Sequence, residues 1–197
     1  MIAAIVLISK PEFRVSILEQ MAAQTLEHEL VLIEGIQGVS RARNLGFQVA
    51  KERGADTFAF IDCDDRYAPW YLAQCEEALK EHVAVGKPAH YVHDTVKDEY
   101  WVVGETQFNL PAPFQRVTAP GGTLAGRLTD ALPFYEELKH MEDLDWCFAM
   151  GDKGKGIFAL PPEGYLKQQF ASGHTFDRPF EETARGSRRL DSPPAWN

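Results

Sequence analysis

Three carboxylates stand close together where an apolar segment of the sequence ends. Asp62, Asp64 and Asp65 follow directly on the apolar residues 58–61. Such an apolar run predicts a buried strand, and in α/β sheets ligands bind beyond the carboxyl ends of the strands. Carboxylate oxygens are the ligands that Mg²⁺ and Mn²⁺ prefer, and several of them repel one another unless a cation lies between them. A single aspartate would indicate a turn, but three of them predict a metal or phosphate site.

A second acidic motif lies late in the chain, at the start of a predicted helix. It consists of Glu142 and Asp143, followed by Asp145. These carboxylates are candidates for a chemical role, but acidic residues are also favoured in the first turn of a helix, where they compensate its dipole. Taken alone, compensation of the helix dipole is the simpler interpretation.

A basic motif follows a glycine turn in the first half of the chain. Arg41, Arg43 and Asn44 come shortly after Gly38, where a helix is predicted to begin with Ser40 as its cap. Backbone N–H groups point outward at a helix start, so that this arrangement suits a diphosphate. An ordinary capped helix with solvated arginines is the alternative, and the residues alone leave both open.

The elements that would position these motifs alternate regularly in the first half. Apolar runs predict strands at residues 2–8, 29–34 and 57–62, and helical spacing predicts helices at 13–24, 40–53 and 69–81. This alternation is typical of a parallel sheet with crossover helices. The first half is therefore predicted to be α/β.

The second half has a different pattern. It predicts a hairpin of strands 90–96 and 99–103, a strand at 114–118, a helix at 143–153 and a strand at 157–160. Residues 177–197 are rich in Arg, Glu, Ser and Pro and are predicted to form a polar, mobile tail. The body, residues 1–176, is predicted to be a single domain.

Composition narrows the class of protein. The chain has 197 residues with 20 Lys and Arg against 29 Asp and Glu, a formal charge of −9 that disfavours general binding to nucleic acid. The apolar opening has seven residues and no basic region before it, and no later run approaches the length of a membrane span. The three cysteines form no C-x-x-C pair. We therefore expect a cytoplasmic protein without a transmembrane segment.

In content and in order, four segments resemble motifs of the inverting family 2 glycosyltransferases, which have the GT-A fold. The segments are Ala-Gln-Thr at 23–25, Ala-Arg-Asn-Leu-Gly at 42–46, Phe-Ile-Asp-Cys-Asp-Asp at 60–65 with Pro69 after it, and Glu-Asp-Leu-Asp-Trp at 142–146. The resemblance covers about residues 2–175. It implies a GT-A-like, Rossmann-related mixed sheet with flanking helices, in which residues 1–85 bind a nucleotide sugar and residues 86–176 bind the acceptor.

The resemblance also implies roles for individual residues. Asp64 and Asp65 would hold Mn²⁺ or Mg²⁺, and His174 is the candidate for a late histidine near the metal. The donor would contact a further group of residues, namely Asp62, Asp64, Arg43, Asn44 and Glu34. Asp143 would be the catalytic base, with Glu142 beside it. Where the family usually has an Asp-Asp-Gly-Ser-type turn after the second strand, this chain has Glu-Gly-Ile-Gln-Gly at 34–38.

The predicted function is metal-dependent transfer of a sugar, with inversion, from a nucleotide-diphosphate sugar to a hydroxyl acceptor. The acceptor is left open among a saccharide, a lipid-linked glycan, a protein and a modified DNA base. Arg185, Arg188 and Arg189 in the tail are candidates to close over the diphosphate, and a permanently solvated tail is the alternative. One alternative is a nucleotidyltransferase, although residues 9–12 lack the glycine-rich loop of that class. The other is a non-catalytic module that binds a nucleotide sugar.

Overall fold

The strands of the protein form two sheets, and the helices pack on the larger one. The structure, a computed structural model, describes residues 1–104, 119–138, 141–169 and 187–196. Within these ranges the strands are β1 (Ile2–Ile8), β2 (Glu29–Glu34), β3 (Thr57–Asp62), β4 (Arg66–Tyr67), β5 (Ala84–Gly86), β6 (His90–Asp94), β7 (Glu99–Val103), β8 (Ala125–Arg127), β9 (Phe158–Ala159), β10 (Tyr165–Gln169) and β11 (Arg188–Leu190). The helices are α1 (Arg14–Ala22), α2 (Val39–Glu52), α3 (Tyr71–Leu79) and α4 (Glu142–Asp152).

The larger sheet has the strand order β2-β1-β3-β8-β5-β9. β1 lies between β2 and β3 and pairs with both in parallel, which explains why all seven of its residues are buried. Alternate side chains of β1 point to opposite faces. Ala3, Ile5 and Leu7 join a core with α2 and α4, whereas the residues between them join a core with α1 and α3. Helices on both faces are what a parallel sheet requires.

α2 packs unusually close to the central strand because of one glycine. A Cβ atom added at Gly46 would lie 2.4 Å from Cγ2 of Ile5. The glycine of the Ala-Arg-Asn segment therefore permits the close helix–sheet contact. This contact fixes the amino end of α2 beside the carboxyl ends of the strands.

The smaller sheet has the order β11-β7-β6-β10-β4. The predicted hairpin is present as β6 and β7, and its turn includes Asp98 in the left-handed region with a φ of 52°. β10 pairs in parallel with β6 and antiparallel with β4, which directly follows the acidic residues after β3. The second sheet is thereby tied to the acidic loop.

The predicted alternation of strands and helices in the first half is confirmed, with element ends that differ by a few residues. The prediction that Ser40 caps α2 was wrong. Gly38, with a φ of 88°, is the N-cap of α2, and the Ser40 hydroxyl is buried without a hydrogen-bond partner. β4, β5, β8, β10 and β11 were not predicted. The predicted strand at 114–118 lies outside the described residues.

Part of the predicted tail is ordered, so the expectation of a loop throughout residues 177–197 was wrong. β11 pairs antiparallel with β7, and the ring of Trp196 packs against Tyr91 with 5.1 Å between the ring centroids. Arg189 forms an ion pair with Glu99 at 3.1 Å. Among the described residues, no helix is both long enough and apolar enough to span a membrane.

Candidate active site

A cleft of about 590 Å³ opens at the carboxyl ends of β1, β2 and β3. The size is typical of a small-molecule site. Its lining combines apolar side chains with a charged group of five carboxylates and three cations. These charged residues are Asp62, Asp64, Asp65, Glu142, Asp143, Lys10, Arg43 and Lys167. The three motifs identified in the sequence therefore meet in one cleft.

Asp62, the last residue of β3, lies under a diglycine turn. A Cβ atom at Gly122 would lie 2.7 Å from Oδ2 of Asp62. The Asp62 N–H donates to the Tyr67 hydroxyl at 2.9 Å, and that hydroxyl donates to the Gly122 carbonyl at 3.0 Å. Burial raises the pKa of Asp62, Arg43 opposes this, and the negative charges of Asp64 and Asp143 raise it further. Asp62 thus lies near two other carboxylates, and a cation beside it would stabilise its charged form.

Asp64 is paired with a lysine from the loop after β1. Lys10 Nζ donates to Asp64 Oδ2 at 2.7 Å, and both side chains are partly exposed. The two segments also touch at Cys63, whose Sγ lies 3.9 Å from the Ser9 Oγ and 3.9 Å from the Lys10 carbonyl oxygen. These contacts hold the lysine beside the acidic loop.

Asp65 is turned towards the second sheet. Its Oδ2 accepts a hydrogen bond from the Tyr165 hydroxyl at 2.6 Å, and its Oδ1 accepts one from the Gln168 N–H at 3.0 Å. The residue is 4% exposed, and burial raises the pKa of its carboxyl to about 7. Both oxygens are engaged, so that Asp65 joins the acidic loop to β10. Its predicted role as a metal ligand stays a prediction.

Arg43 connects the basic motif with both acidic motifs. Its Nη1 donates to Glu142 Oε1 at 2.8 Å, and its Nη2 lies 4.0 Å from Asp62 Oδ1. The guanidinium is 2% exposed and packs over the rings of Phe60 and Phe134, at 5.4 and 5.2 Å from their centroids. Arg43 is therefore a buried cation with a fixed position, not the solvated arginine of the alternative interpretation.

Asp143 lies in the first turn of α4 and lines the cleft. Its Oδ2 accepts a hydrogen bond from the Gly121 N–H at 3.1 Å, and its Oδ1 accepts one from the Leu144 N–H at 2.8 Å. The helix follows Met141, which is in the left-handed region with a φ of 62°. Asp143 is thus oriented by the backbone, while Glu142 is committed to Arg43.

Two predicted donor-binding residues do not line the cleft. Asn44 Nδ2 donates a hydrogen bond to the Phe134 carbonyl at 2.9 Å, and Asn44 Oδ1 accepts one from the Phe134 N–H at 2.8 Å. These bonds attach α2 to the chain before α4. Glu34 accepts a hydrogen bond from Arg14 at 2.7 Å on the surface. Arg188 and Arg189 belong to β11 and are not among the lining residues, and His174 and Arg185 lie outside the described residues.

Sequence reasoning missed four residues of the site: Lys10, Lys167, Tyr165 and Gly121. Lys167 and Tyr165 come from β10, which pairs with the acidic region only in the folded chain. The one available signal was the pair of adjacent glycines at 121 and 122, because adjacent glycines often allow close approach of the backbone.

Within the described ranges, no three His, Cys, Asp or Glu residues are arranged to hold a metal ion by themselves. Asp62 and Asp64 are the carboxylates best placed for one. Both are only partly buried, and each lacks the pair of protein donors that engages Asp65. Two carboxylates would leave positions for other ligands, as is common for Mg²⁺ bound together with phosphates.

The parallel central strands, the acidic loop after β3 and the acidic start of α4 define the fold class of the GT-A glycosyltransferases. The sequence profile of Glycosyl transferase family 2 matches residues 9–148. The chain therefore belongs to glycosyl transferase family 2.

Solved structures of S. aureus TarS share the fold. TarS 1–349 in complex with UDP-GlcNAc superposes with a TM-score of 0.60 at 16% identity, over 88% of this chain and 60% of that one. TarS 1–349 in complex with UDP gives 0.54 at 16% identity, over 86% and 61%. A longer TarS structure gives 0.55 at 18% identity, over 86% and 37%. This chain thus spans about 60% or less of these TarS chains. Comparison with curated protein sequences gives no match.

Proposed function

We propose that this chain transfers a sugar from a nucleoside-diphosphate sugar to a hydroxyl acceptor, with inversion and with the help of Mn²⁺ or Mg²⁺. One observation carries the proposal: a single cleft holds the acidic loop, a buried arginine and a backbone-oriented aspartate. TarS, which shares the fold, has been solved with UDP-GlcNAc and with UDP, and this supports a UDP-sugar as the first donor to test.

The charges of the cleft suit an anionic donor held by a cation. Asp62 and Asp64 would hold the divalent ion. Burial and, after it, the neighbouring carboxylates raise the pKa of Asp62, and a cation would stabilise its charged form. When bound, such an ion neutralises charge on a leaving diphosphate. The cations Lys10 and Lys167 line the same cleft, where they would contact the phosphate oxygens of a bound donor. Asp65 supports the loop through Tyr165 and Gln168.

Asp143 is the proposed general base. The acceptor hydroxyl attacks the anomeric carbon, a new C–O bond forms, and the bond to the diphosphate oxygen breaks with its electron pair. The proton of the hydroxyl passes to Asp143. A single displacement of this kind inverts the anomeric centre. The N–H groups of Gly121 and Leu144 fix the direction of the carboxylate, which proton transfer at hydrogen-bond distance requires.

The test measures release of UDP from UDP-sugars with Mn²⁺ and with EDTA. We expect release that depends on Mn²⁺ in the wild type and is lost in Asp64→Asn. Asp56→Asn is the matched control, since Asp56 is exposed and paired with the amino terminus. Metal-independent binding without turnover would indicate a binding module. Pyrophosphate release from a nucleoside triphosphate and a sugar phosphate would indicate a nucleotidyltransferase instead.

A further inference from the structure

The ion pair between Lys10 and Asp64 lies inside the cleft, at the carboxylate that is best placed for a cation. The ammonium donates to Asp64 Oδ2 at 2.7 Å, and the two side chains are 23% and 19% exposed. The lysine thus carries the positive charge that the carboxylate would otherwise obtain from a metal ion.

We propose that Lys10 sets the affinity of the acidic loop for divalent cations by neutralising the charge of Asp64 that a cation would bind. The inference deepens the proposed function, on which it rests. A divalent ion bound at Asp64 would compete with the ammonium, because two cations at one carboxylate repel each other. The ion pair therefore lowers the affinity for metal alone.

Two cations of the cleft, Arg43 and Lys10, differ in their freedom to move. Arg43 is 2% exposed and held between two rings and Glu142. Lys10, in contrast, lies on a loop, is partly exposed and has a flexible four-carbon stem. The Phe13 ring, with its centroid 5.8 Å from the Lys10 ammonium, is a further favourable contact of this cation. Lys10 is therefore able to leave Asp64 without unfolding its surroundings.

The displaced ammonium remains in the cleft, where the phosphate oxygens of a donor would be its next partners. The same lysine that disfavours metal alone thus favours metal and donor together. Removing it should have two opposite effects: metal binds more tightly, and the nucleotide without metal binds more weakly. Substitution of a residue with only a structural role would not raise the affinity for metal while lowering the affinity for the nucleotide.

The first experiment titrates each protein with Mn²⁺ alone and follows free Mn²⁺ by electron paramagnetic resonance. Lys10→Met should bind Mn²⁺ about tenfold more tightly than the wild type, the equivalent of about 1.4 kcal/mol. Lys10→Arg keeps the charge and should stay within about twofold. The matched control is Lys80→Met, because Lys80 is an exposed lysine paired with Glu77 outside the cleft. Adding Asp64→Asn to Lys10→Met should abolish the gain.

The second experiment measures UDP binding in EDTA by calorimetry, where Lys10→Met should weaken the affinity severalfold. Circular dichroism confirms folding, and Lys10→Gln replaces Lys10→Met if the latter does not fold. Mn²⁺ affinity in the Lys10 variant that is equal to or weaker than in the wild type overturns the inference, as does an equal gain in Lys80→Met. If UDP binds to no variant even after Mn²⁺ is added, the proposed function fails, while the Mn²⁺ titration still decides the role of Lys10.

Discussion

Replacing Gly121 by alanine tests whether the diglycine turn holds the site together. Gly121 does not have a positive φ, so that alanine fits the backbone. The added Cβ, however, would lie 1.8 Å from Nη2 and 2.4 Å from Cζ of Arg43. The guanidinium cannot easily withdraw, because Phe60 and Phe134 flank it and Glu142 accepts its hydrogen bond. Either the turn or the arginine must therefore move.

The free-energy cost of moving the turn or the arginine can be estimated from the two effects involved. Overpacking a filled interior costs about 1–3 kcal/mol. Breaking a buried ion pair costs about 3–5 kcal/mol, because the remaining charge stays buried without a partner. We expect Gly121→Ala to lower the free energy of unfolding by about 3 kcal/mol. For a chain of this length that loss lowers Tm by about 6–12 °C.

The assay is urea unfolding, followed by circular dichroism, of the wild type, Gly121→Ala and Gly151→Ala. Gly151 is the matched control, since it lies in α4 with no atom within 4 Å of an added Cβ. Alanine there should be neutral or stabilising by up to about 1 kcal/mol. If Gly121→Ala unfolds within about 1 kcal/mol of the wild type, the turn does not fix Arg43 and the reasoning is wrong.

Three further predictions concern catalysis and pH. Asp143→Asn should lower kcat by about 10²- to 10⁴-fold with an unchanged Kd for the donor, whereas Asp145→Asn, on the exposed side of α4, should leave kcat unaltered. Loss of donor binding in Asp143→Asn would argue against Asp143 as the general base. Burial, with Lys167 nearby, lowers the pKa of His90 to about 3, so between about pH 6.5 and 3 only the unfolded chain takes up this proton. Urea midpoints at about pH 7 and 5 should therefore show that the wild type loses stability relative to His90→Leu as the pH falls. Burial lowers the pKa of Lys87 to about 8, so between about pH 8 and 10.5 only the unfolded chain keeps this proton. Thermal unfolding should therefore show that the wild type gains stability relative to Lys87→Met as the pH rises through this range.

The motifs that carry chemistry could be predicted because each lies in one short segment. Asp62 and Asp64 follow an apolar strand, and an apolar run of that length shows where the strand ends. The position of Asp143 in the first turn of α4 followed in the same way. Local periodicity also predicted the alternating strands and helices, because a strand or helix buried on a sheet carries its pattern in its own residues.

Short strands were harder to predict. β4, β8 and β11 have only two or three residues each, too few to show a period. They form because partners distant in sequence offer them hydrogen bonds. β11, for example, pairs with β7, about ninety residues earlier in the chain.

The sequence by itself determined the family, the α/β order and the identity of the acidic motifs, since all of these depend on residues that are neighbours in the chain. Only the tertiary structure decided which charged and polar side chains pair with one another. Lys10 pairs with Asp64 and Arg43 with Glu142, whereas Asp65 turns to Tyr165 and Asn44 to Phe134. The physical reason is that an ion pair or hydrogen bond needs atoms within about 3 Å. Between residues 54 to 100 positions apart, only the packing of sheets and helices sets that distance.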